Sequence, residues 1–225
     1  MKVRITIFGV VIIALVAAIF TFNSRNQRNQ STTTTSTQNR SSKPVKSANS
    51  GKTLVVYFSR REAASSIYKD KPLPIGNTKR IAGMIAKKTG GTEYEIIPAK
   101  SYPRDFKTTS EVAQRELDEN ARPKIKNPLP DVSGYNTVFV GAPVWWGDYP
   151  MVVHTFLDAV DLNGKNIVPF ATSEGSGLGN FDSVLSSQYP NAKVLEGHFE
   201  RGKDVADRRS SVESNVNRWL NGLGY

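Results

Sequence analysis

Short apolar runs alternate with amphipathic segments along most of the chain, and this alternation constrains the fold more than any other feature. The first run, residues 53–59, is almost continuously apolar, which is typical of a strand buried on both faces of a parallel sheet. Predicted strands follow at 93–97, 137–140, 166–171 and 193–195, and predicted helices at 76–90, 109–120, 151–160, 179–188 and 204–223. Five strands alternating with five helices predict a doubly wound α/β fold around a five-stranded parallel sheet.

The first 50 residues differ from the rest. Residues 5–22 are an uncharged run of 18, of which twelve are Ile, Val, Leu or Phe. A helix of that length spans about 27 Å, close to the hydrocarbon thickness of a bilayer. We therefore expect residues 1–22 to form an uncleaved signal anchor with one transmembrane helix. A cleavable signal peptide is the alternative, since Lys2 and Arg4 form a basic N-terminal region.

Residues 23–50 consist mainly of Ser, Thr, Asn, Gln and a few basic residues, so they predict a disordered linker. Its root-mean-square reach is about 30 Å. The linker would hold a domain of residues 51–225 away from the cell membrane, and we expect that domain to be extracellular.

Composition narrows the function of this domain. The formal net charge is +10, but residues 1–50 hold seven basic and no acidic residues, which leaves 23 basic and 20 acidic residues beyond them. A nearly balanced domain gives no reason to predict a nucleic-acid partner. The chain has no cysteine, and its two histidines, His154 and His198, are far apart in sequence, so we predict no metal site.

The unusual residues of the domain follow predicted strands one, three and four. The carboxyl ends of parallel strands meet at one edge of a sheet, where ligands of open α/β proteins bind. After strand one, Ser59 and the helix start Gly76-Asn77-Thr78 offer hydroxyls and free backbone N–H groups. This combination predicts an anion pocket. For Thr78, a role as a simple helix cap is equally open.

Strand three runs into Pro143-Val144-Trp145-Trp146-Gly147. Two adjacent indole rings at a strand end indicate a stacking site for a planar cofactor. Alternatively, Trp145 and Trp146 simply cover the edge of the sheet.

Strand four is followed by a glycine-rich loop that contains Ser173, Glu174, Gly175 and Gly177. Its G-x-G-x-G spacing differs from the dinucleotide fingerprint, which also belongs after the first strand, so a nicotinamide Rossmann site is disfavoured. The glycines instead permit close approach of the backbone to a flat ligand. A mobile surface loop is the alternative.

Together these motifs resemble the flavodoxin family. Val56-Tyr57-Phe58-Ser59 with Gly76-Asn77-Thr78-Lys79 is similar to the family's phosphate loop, and the loops at 142–147 and 172–177 are similar to its two isoalloxazine loops. The resemblance covers about residues 53–223 and implies strand order 2-1-3-4-5. It departs from the family in an insertion of about fourteen residues between Ser59 and Gly76.

The resemblance also implies non-covalently bound FMN. Ser59, Arg60, Gly76, Asn77 and Thr78 would bind its phosphate, while residues 143–147 and Ser173, Glu174, Gly175 and Gly177 would flank its ring. No side chain need act as a nucleophile, because the flavin supplies the redox chemistry. The redox partner stays open between a protein, a quinone and NAD(P)H, and so does the choice between an enzyme and an electron carrier. The rival hypothesis is a non-catalytic surface module that has lost FMN.

Overall fold

The computed structural model describes residues 52–62, 67 and 72–225. The expected transmembrane helix at 5–22 and the expected linker at 23–50 lie outside these residues. Among the described residues, no helix has both the length and the apolar character needed to cross a membrane.

Strands and helices alternate as the sequence predicts, with two additions near the C-terminus. The strands are β1 (Thr53–Tyr57), β2 (Thr92–Glu95), β3 (Thr137–Pro143), β4 (Asn166–Ser173), β5 (Lys193–Val194) and β6 (His198–Arg201). The helices are α1 (Asn77–Thr89), α2 (Phe106–Asp118), α3 (Met151–Ala159), α4 (Phe181–Gln188), α5 (Gly202–Asp207) and α6 (Arg209–Gly222). Helix α2 begins three residues before the predicted position, because Asp105 caps it by accepting from the Thr108 N–H at 2.7 Å.

All paired strands are parallel and follow the order β2-β1-β3-β4-β5, which confirms the predicted topology. The predicted count of five strands is wrong. The edge strand is split, so that β5 pairs with the beginning of β4 and β6 with its last four residues.

Proline explains the split. The Leu195 N–H donates to the Ile167 carbonyl at 2.8 Å, so Ile167 faces the edge strand. Pro169, two residues further along β4, faces the same side and has no N–H to donate. Pairing therefore stops opposite Pro169 and resumes at Phe170 with His198.

The predicted single C-terminal helix at 204–223 is also wrong, because the chain leaves helical geometry at Arg208 (φ −127°, ψ 48°). Neither glycine nor proline marks the break. The apolar spacing of Val205, Val212 and Val216 is compatible with one helix, so the sequence pattern did not reveal it.

The central strands β1, β3 and β4 are buried on both faces, as predicted for residues 53–59, whereas β2 and β5 at the edges are partly exposed. On one face, Leu54 and Val56 pack in a core that includes Phe156 of α3 and Leu185 of α4. On the other, Val55 and Tyr57 pack in a core with residues of α1, α5 and α6. Because successive strand residues point to opposite faces, consecutive apolar residues are what a doubly covered sheet requires.

Candidate functional site

The loops after β1, β3 and β4 meet at the carboxyl edge of the sheet. The Phe58 N–H donates to the Gly141 carbonyl at 2.9 Å, and the Val144 N–H donates to the Thr172 carbonyl at 3.0 Å. The hydroxyls of Thr78 and Thr172 lie 2.9 Å apart and join the start of α1 to the end of β4. The structure thus brings the three segments with unusual composition into one site.

The start of α1 lies tightly against the loop after β1. The Lys79 N–H donates to Ser59 Oγ at 3.0 Å. A Cβ added at Gly76 would lie 2.5 Å from the Arg60 carbonyl oxygen and closer still to Ser59 Oγ. Glycine at this position therefore permits the loop to close over the helix end, where the first N–H groups have no intrahelical acceptor.

Asn77 and Thr78 are both buried, and each side chain forms a hydrogen bond to another part of the fold. Asn77 Nδ2 donates to the Gly202 carbonyl at 2.9 Å, while its Oδ1 is buried without a partner. The N-cap of α1 is Gly76, so the alternative that Thr78 caps the helix is wrong. An anion at this end would meet backbone N–H groups beside Ser59.

The Arg60 side chain contacts α2 and the loop before it. Its Nη1 donates to Thr109 Oγ1 at 3.1 Å and its Nη2 to the Pro103 carbonyl. Its guanidinium lies 5.7 Å from the Tyr102 ring centre and 5.9 Å from that of Trp145, and burial lowers its pKa. The structure therefore holds the Arg60 side chain against the start of α2, whereas the family resemblance implied a place for it beside the phosphate.

The two tryptophans occupy a tight turn that separates their rings. Trp145 and Asp148 exchange backbone hydrogen bonds of 2.9 and 3.0 Å, and Trp146 and Gly147 between them have φ values of 52° and 83°. Two consecutive left-handed residues are the geometry of a type I′ turn. A positive φ is uncommon for a bulky residue such as Trp146 and concentrates at functional sites.

Trp145 packs inward and Trp146 outward. The Trp145 ring meets Tyr102 edge-on at 4.9 Å and Phe58 at 5.6 Å. Trp146 is 56% exposed, and its Nε1 donates to the Ser110 carbonyl of α2 at 3.0 Å. The two predicted roles therefore divide, because Trp145 covers the sheet edge while Trp146 offers an accessible ring.

The glycine-rich loop turns back on itself and clasps the tryptophan turn. Ser173 Oγ donates to the Gly177 carbonyl at 3.1 Å, and Gly177 and Gly179 both have positive φ. The Asn180 N–H donates to the Gly147 carbonyl at 2.9 Å. With its amide oriented to suit its neighbours, Asn180 Nδ2 also donates to Asp148 Oδ1 at 2.9 Å.

Asp148 is the centre of this clasp, and neither Asp148 nor Asn180 is among the site residues predicted from the sequence. Its Oδ1 lies 3.1 Å from His154 Nε2 and accepts from the Tyr149 N–H. Burial alone would raise the pKa of Asp148, but the hydrogen bonds from His154, Tyr149 and Asn180 and the charge of His154 lower it. The signal that could have found Asn180 is its position at the end of a glycine-rich loop, directly before a helix.

Glu174 belongs to the same loop, and its carboxylate is buried. Both carboxylate oxygens are buried without a hydrogen bond, and Arg201 Nε is 3.6 Å from Oε2. A Cβ added at Gly202 would lie 2.6 Å from Glu174 Oε1 and 3.1 Å from Asn77 Nδ2. Arg201 and Gly202 thus complete the site, and they belong to the part of the edge strand and final helix that the sequence misassigned. Gly175 has open space around its α-carbon.

An open parallel sheet of order 2-1-3-4-5, with three loops gathered at its carboxyl edge, defines the flavodoxin-like class of α/β proteins. Residues 73–222 match the family model described as Flavodoxin. The chain belongs to the flavodoxin family, which confirms the resemblance noted in its motifs. No curated protein sequence matches the chain.

Solved structures agree with this assignment. A protein from Bacteroides uniformis described as a flavoprotein is 32% identical, with a TM-score of 0.56 over 76% of this chain and 98% of that one. A similar protein from Bacteroides eggerthii is 30% identical, with a TM-score of 0.57 over 77% and 98%. A flavoprotein from Lactobacillus acidophilus, solved in complex with FMN, shares the fold at 22% identity, with a TM-score of 0.51 over 71% and 99%.

Proposed function

We propose that the domain binds FMN non-covalently and acts in electron transfer. The observation behind this proposal is the junction of three elements at one sheet edge: the N-terminus of α1, the turn at Trp145–Asp148 and the loop at 173–180. A helix N-terminus favours a phosphate group, and the other two segments provide aromatic and glycine surfaces for a planar ring. Membership of the flavodoxin family and the FMN complex of a protein with this fold support the same ligand.

The residues fit such a cofactor. Asn77 Oδ1 and the Glu174 oxygens are buried acceptors without a hydrogen-bond partner among the described residues, and a ligand with hydroxyl or N–H groups could satisfy them. Ser59 and the first N–H groups of α1 would hold the phosphate. Residues 143–147 and 173–177 would flank the ring.

Bound FMN would supply the redox chemistry, and the protein its position and electrostatic surroundings. Trp145, packed against Phe58 and Tyr102, would shield one side of the site from water. Asp148 and Asn180 would keep the two ring-binding loops at a constant separation. The carboxylate of Glu174 would oppose the arrival of negative charge nearby.

Titration of the purified full-length chain with FMN and riboflavin tests this proposal. We expect flavin fluorescence to be quenched, and FMN to bind more tightly than riboflavin, which lacks the phosphate. Trp145→Ala should weaken both ligands, whereas Trp219→Phe, a control on α6, should weaken neither. Absence of flavin binding at micromolar concentrations would refute the proposal and favour the non-catalytic surface module.

The reaction partner needs a separate experiment. Rapid reduction of a quinone by the FMN-loaded protein with NAD(P)H would identify a reductase. Electron exchange with a protein partner, without direct oxidation of NAD(P)H, would identify a carrier.

We also propose that residues 5–22 anchor the protein in the cell membrane, with the domain outside. Only the sequence supports this part. Twelve strongly apolar residues at about −0.3 to −0.6 kcal/mol each favour insertion by roughly −4 to −7 kcal/mol. Protease added to intact cells should cleave the domain, and cleavage only after lysis would contradict the proposal.

A further inference from the structure

A basic groove lies on the domain beside the loop that joins β2 to α2. We call it the α2 groove; it has a volume of about 680 Å³. One wall comes from residues 99–103, another from Val112, Arg115 and Glu116 of α2, and the third from residues 121–124. The first and third walls are joined by backbone hydrogen bonds of 2.7 Å, from the Ala99 N–H to the Lys124 carbonyl and from the Lys126 N–H to the Ile97 carbonyl.

Positive charge dominates the lining. Four cations, Lys100, Arg115, Arg122 and Lys124, face one carboxylate, Glu116. Glu116 accepts a 2.8 Å hydrogen bond from the Tyr102 hydroxyl, and burial raises its pKa. Among the described residues, Arg122 is the one of the four cations that forms an ion pair, with Asp158. The groove is therefore strongly positive, although the basic and acidic residues of the whole domain nearly balance.

The groove is also connected to the proposed FMN site. Tyr102 lines the groove, and its ring contacts Trp145 edge-on at 4.9 Å. Arg60 lies over both rings. The Tyr102 side chain therefore links the groove directly to the tryptophan turn.

We propose that the α2 groove docks an acidic segment of a redox partner protein. This inference rests on the proposed function. The four cations are exposed, so each contributes little to binding a single small anion, and a ligand with several carboxylates is needed to engage them together. The groove is concave, with Pro103, Val112 and Pro123 among its apolar lining, which a peptide can contact and a flat layer of lipid headgroups cannot. Complementary charge would speed and orient the encounter.

The probe for this proposal is a decaglutamate peptide, titrated at low ionic strength into the full-length chain and followed by amide chemical shifts. We expect shifts at residues 99–102, 115–122 and 124, since Pro103 and Pro123 have no amide proton. The double variant Lys100→Glu with Lys124→Glu should weaken binding about tenfold, since each exposed ion pair contributes up to a few-fold. The matched control is Lys193→Glu, an exposed lysine on β5, which should bind the peptide as the wild type does.

The proposal is overturned if the double variant binds as tightly as the wild type, or if Lys193→Glu weakens binding equally. It is also overturned if phosphatidylglycerol vesicles bind through these lysines while the peptide does not, because the surface would then contact membrane. FMN affinity, measured in the same variants, should stay unchanged. Loss of FMN binding in the wild type would refute the proposed function but not the peptide result, so the two failures are distinguishable.

Discussion

Replacing Gly76 with alanine should separate the phosphate end of the proposed site from the rest of the fold. The added Cβ would lie 2.5 Å from the Arg60 carbonyl oxygen, against 3.4–4 Å for an ordinary contact, so the loop must retreat by roughly 1 Å. The obstacle is backbone as well as the Ser59 hydroxyl, and it cannot rotate away. Overpacking of this kind typically costs about 1–3 kcal/mol.

The matched control is Gly83→Ala in the same helix. Gly83 has no neighbour within 4 Å of an added Cβ and lies in the interior of α1, so alanine should stabilise the helix by about 0.5–1 kcal/mol. A change of 1 kcal/mol corresponds to about 2–4 °C in Tm for a domain of this size. The two alanines should therefore shift Tm in opposite directions.

The assay combines thermal unfolding, followed by circular dichroism without flavin, with titration by FMN and riboflavin. Gly76→Ala should weaken FMN about tenfold, equivalent to about 1.4 kcal/mol, and riboflavin less, because the displaced loop is at the phosphate end. Adding Ser59→Ala should restore only part of the stability, since the Arg60 carbonyl still obstructs the Cβ. The reasoning fails if Gly76→Ala matches Gly83→Ala in both Tm and FMN affinity.

Three further changes test the clasp, the sheet and the buried carboxylate. Burial would raise the pKa of Asp148, but the hydrogen bond and charge of His154 and its other hydrogen bonds lower it. Its contribution to stability should therefore be complete above its unfolded pKa of about 3.9 and disappear as the pH falls through the folded value. The urea midpoints of wild type and Asp148→Asn should converge in acid, and a constant difference would contradict this reasoning. Gly141→Ala would drive a Cβ into the Phe170 ring and should destabilise the domain by about 1–3 kcal/mol in urea unfolding. The double variant with Phe170→Leu should recover part of this stability. If it recovers none, the strain lies elsewhere. Glu174→Gln removes a buried negative charge and should raise the reduction potential of bound flavin, whereas an unchanged potential would show that the carboxylate does not act on the ring.

Most of the fold was predictable from local patterns. Continuous apolar strands require cover on both faces, and their alternation with amphipathic helices leaves a parallel sheet as the natural arrangement. The three loops that form the candidate site were also predictable, because glycine, serine and tryptophan residues stand directly after the predicted strands. Since parallel strands end at the same edge, their convergence follows from chain order.

Long-range contacts decided what the side chains do at that edge. Arg60 donates a hydrogen bond to Thr109, 49 positions away in the sequence, and Asn77 donates one to the Gly202 carbonyl, 125 positions away. Neither partner has a periodic signal that local reasoning can detect. The adjacent residues Trp145 and Trp146 are chemically identical, but the turn between β3 and α3 sends one ring into the Phe58–Tyr102 cluster and the other onto α2.

The edge strand shows the same division. The sequence alone determined that residues 193–195 are extended and that the sheet ends near them. It did not indicate that pairing would resume at His198, because that depends on which side of β4 the missing N–H of Pro169 faces. Periodicity specifies which residues are buried, whereas hydrogen-bond partners across the sheet and between loops exist only once the tertiary structure has brought distant segments together.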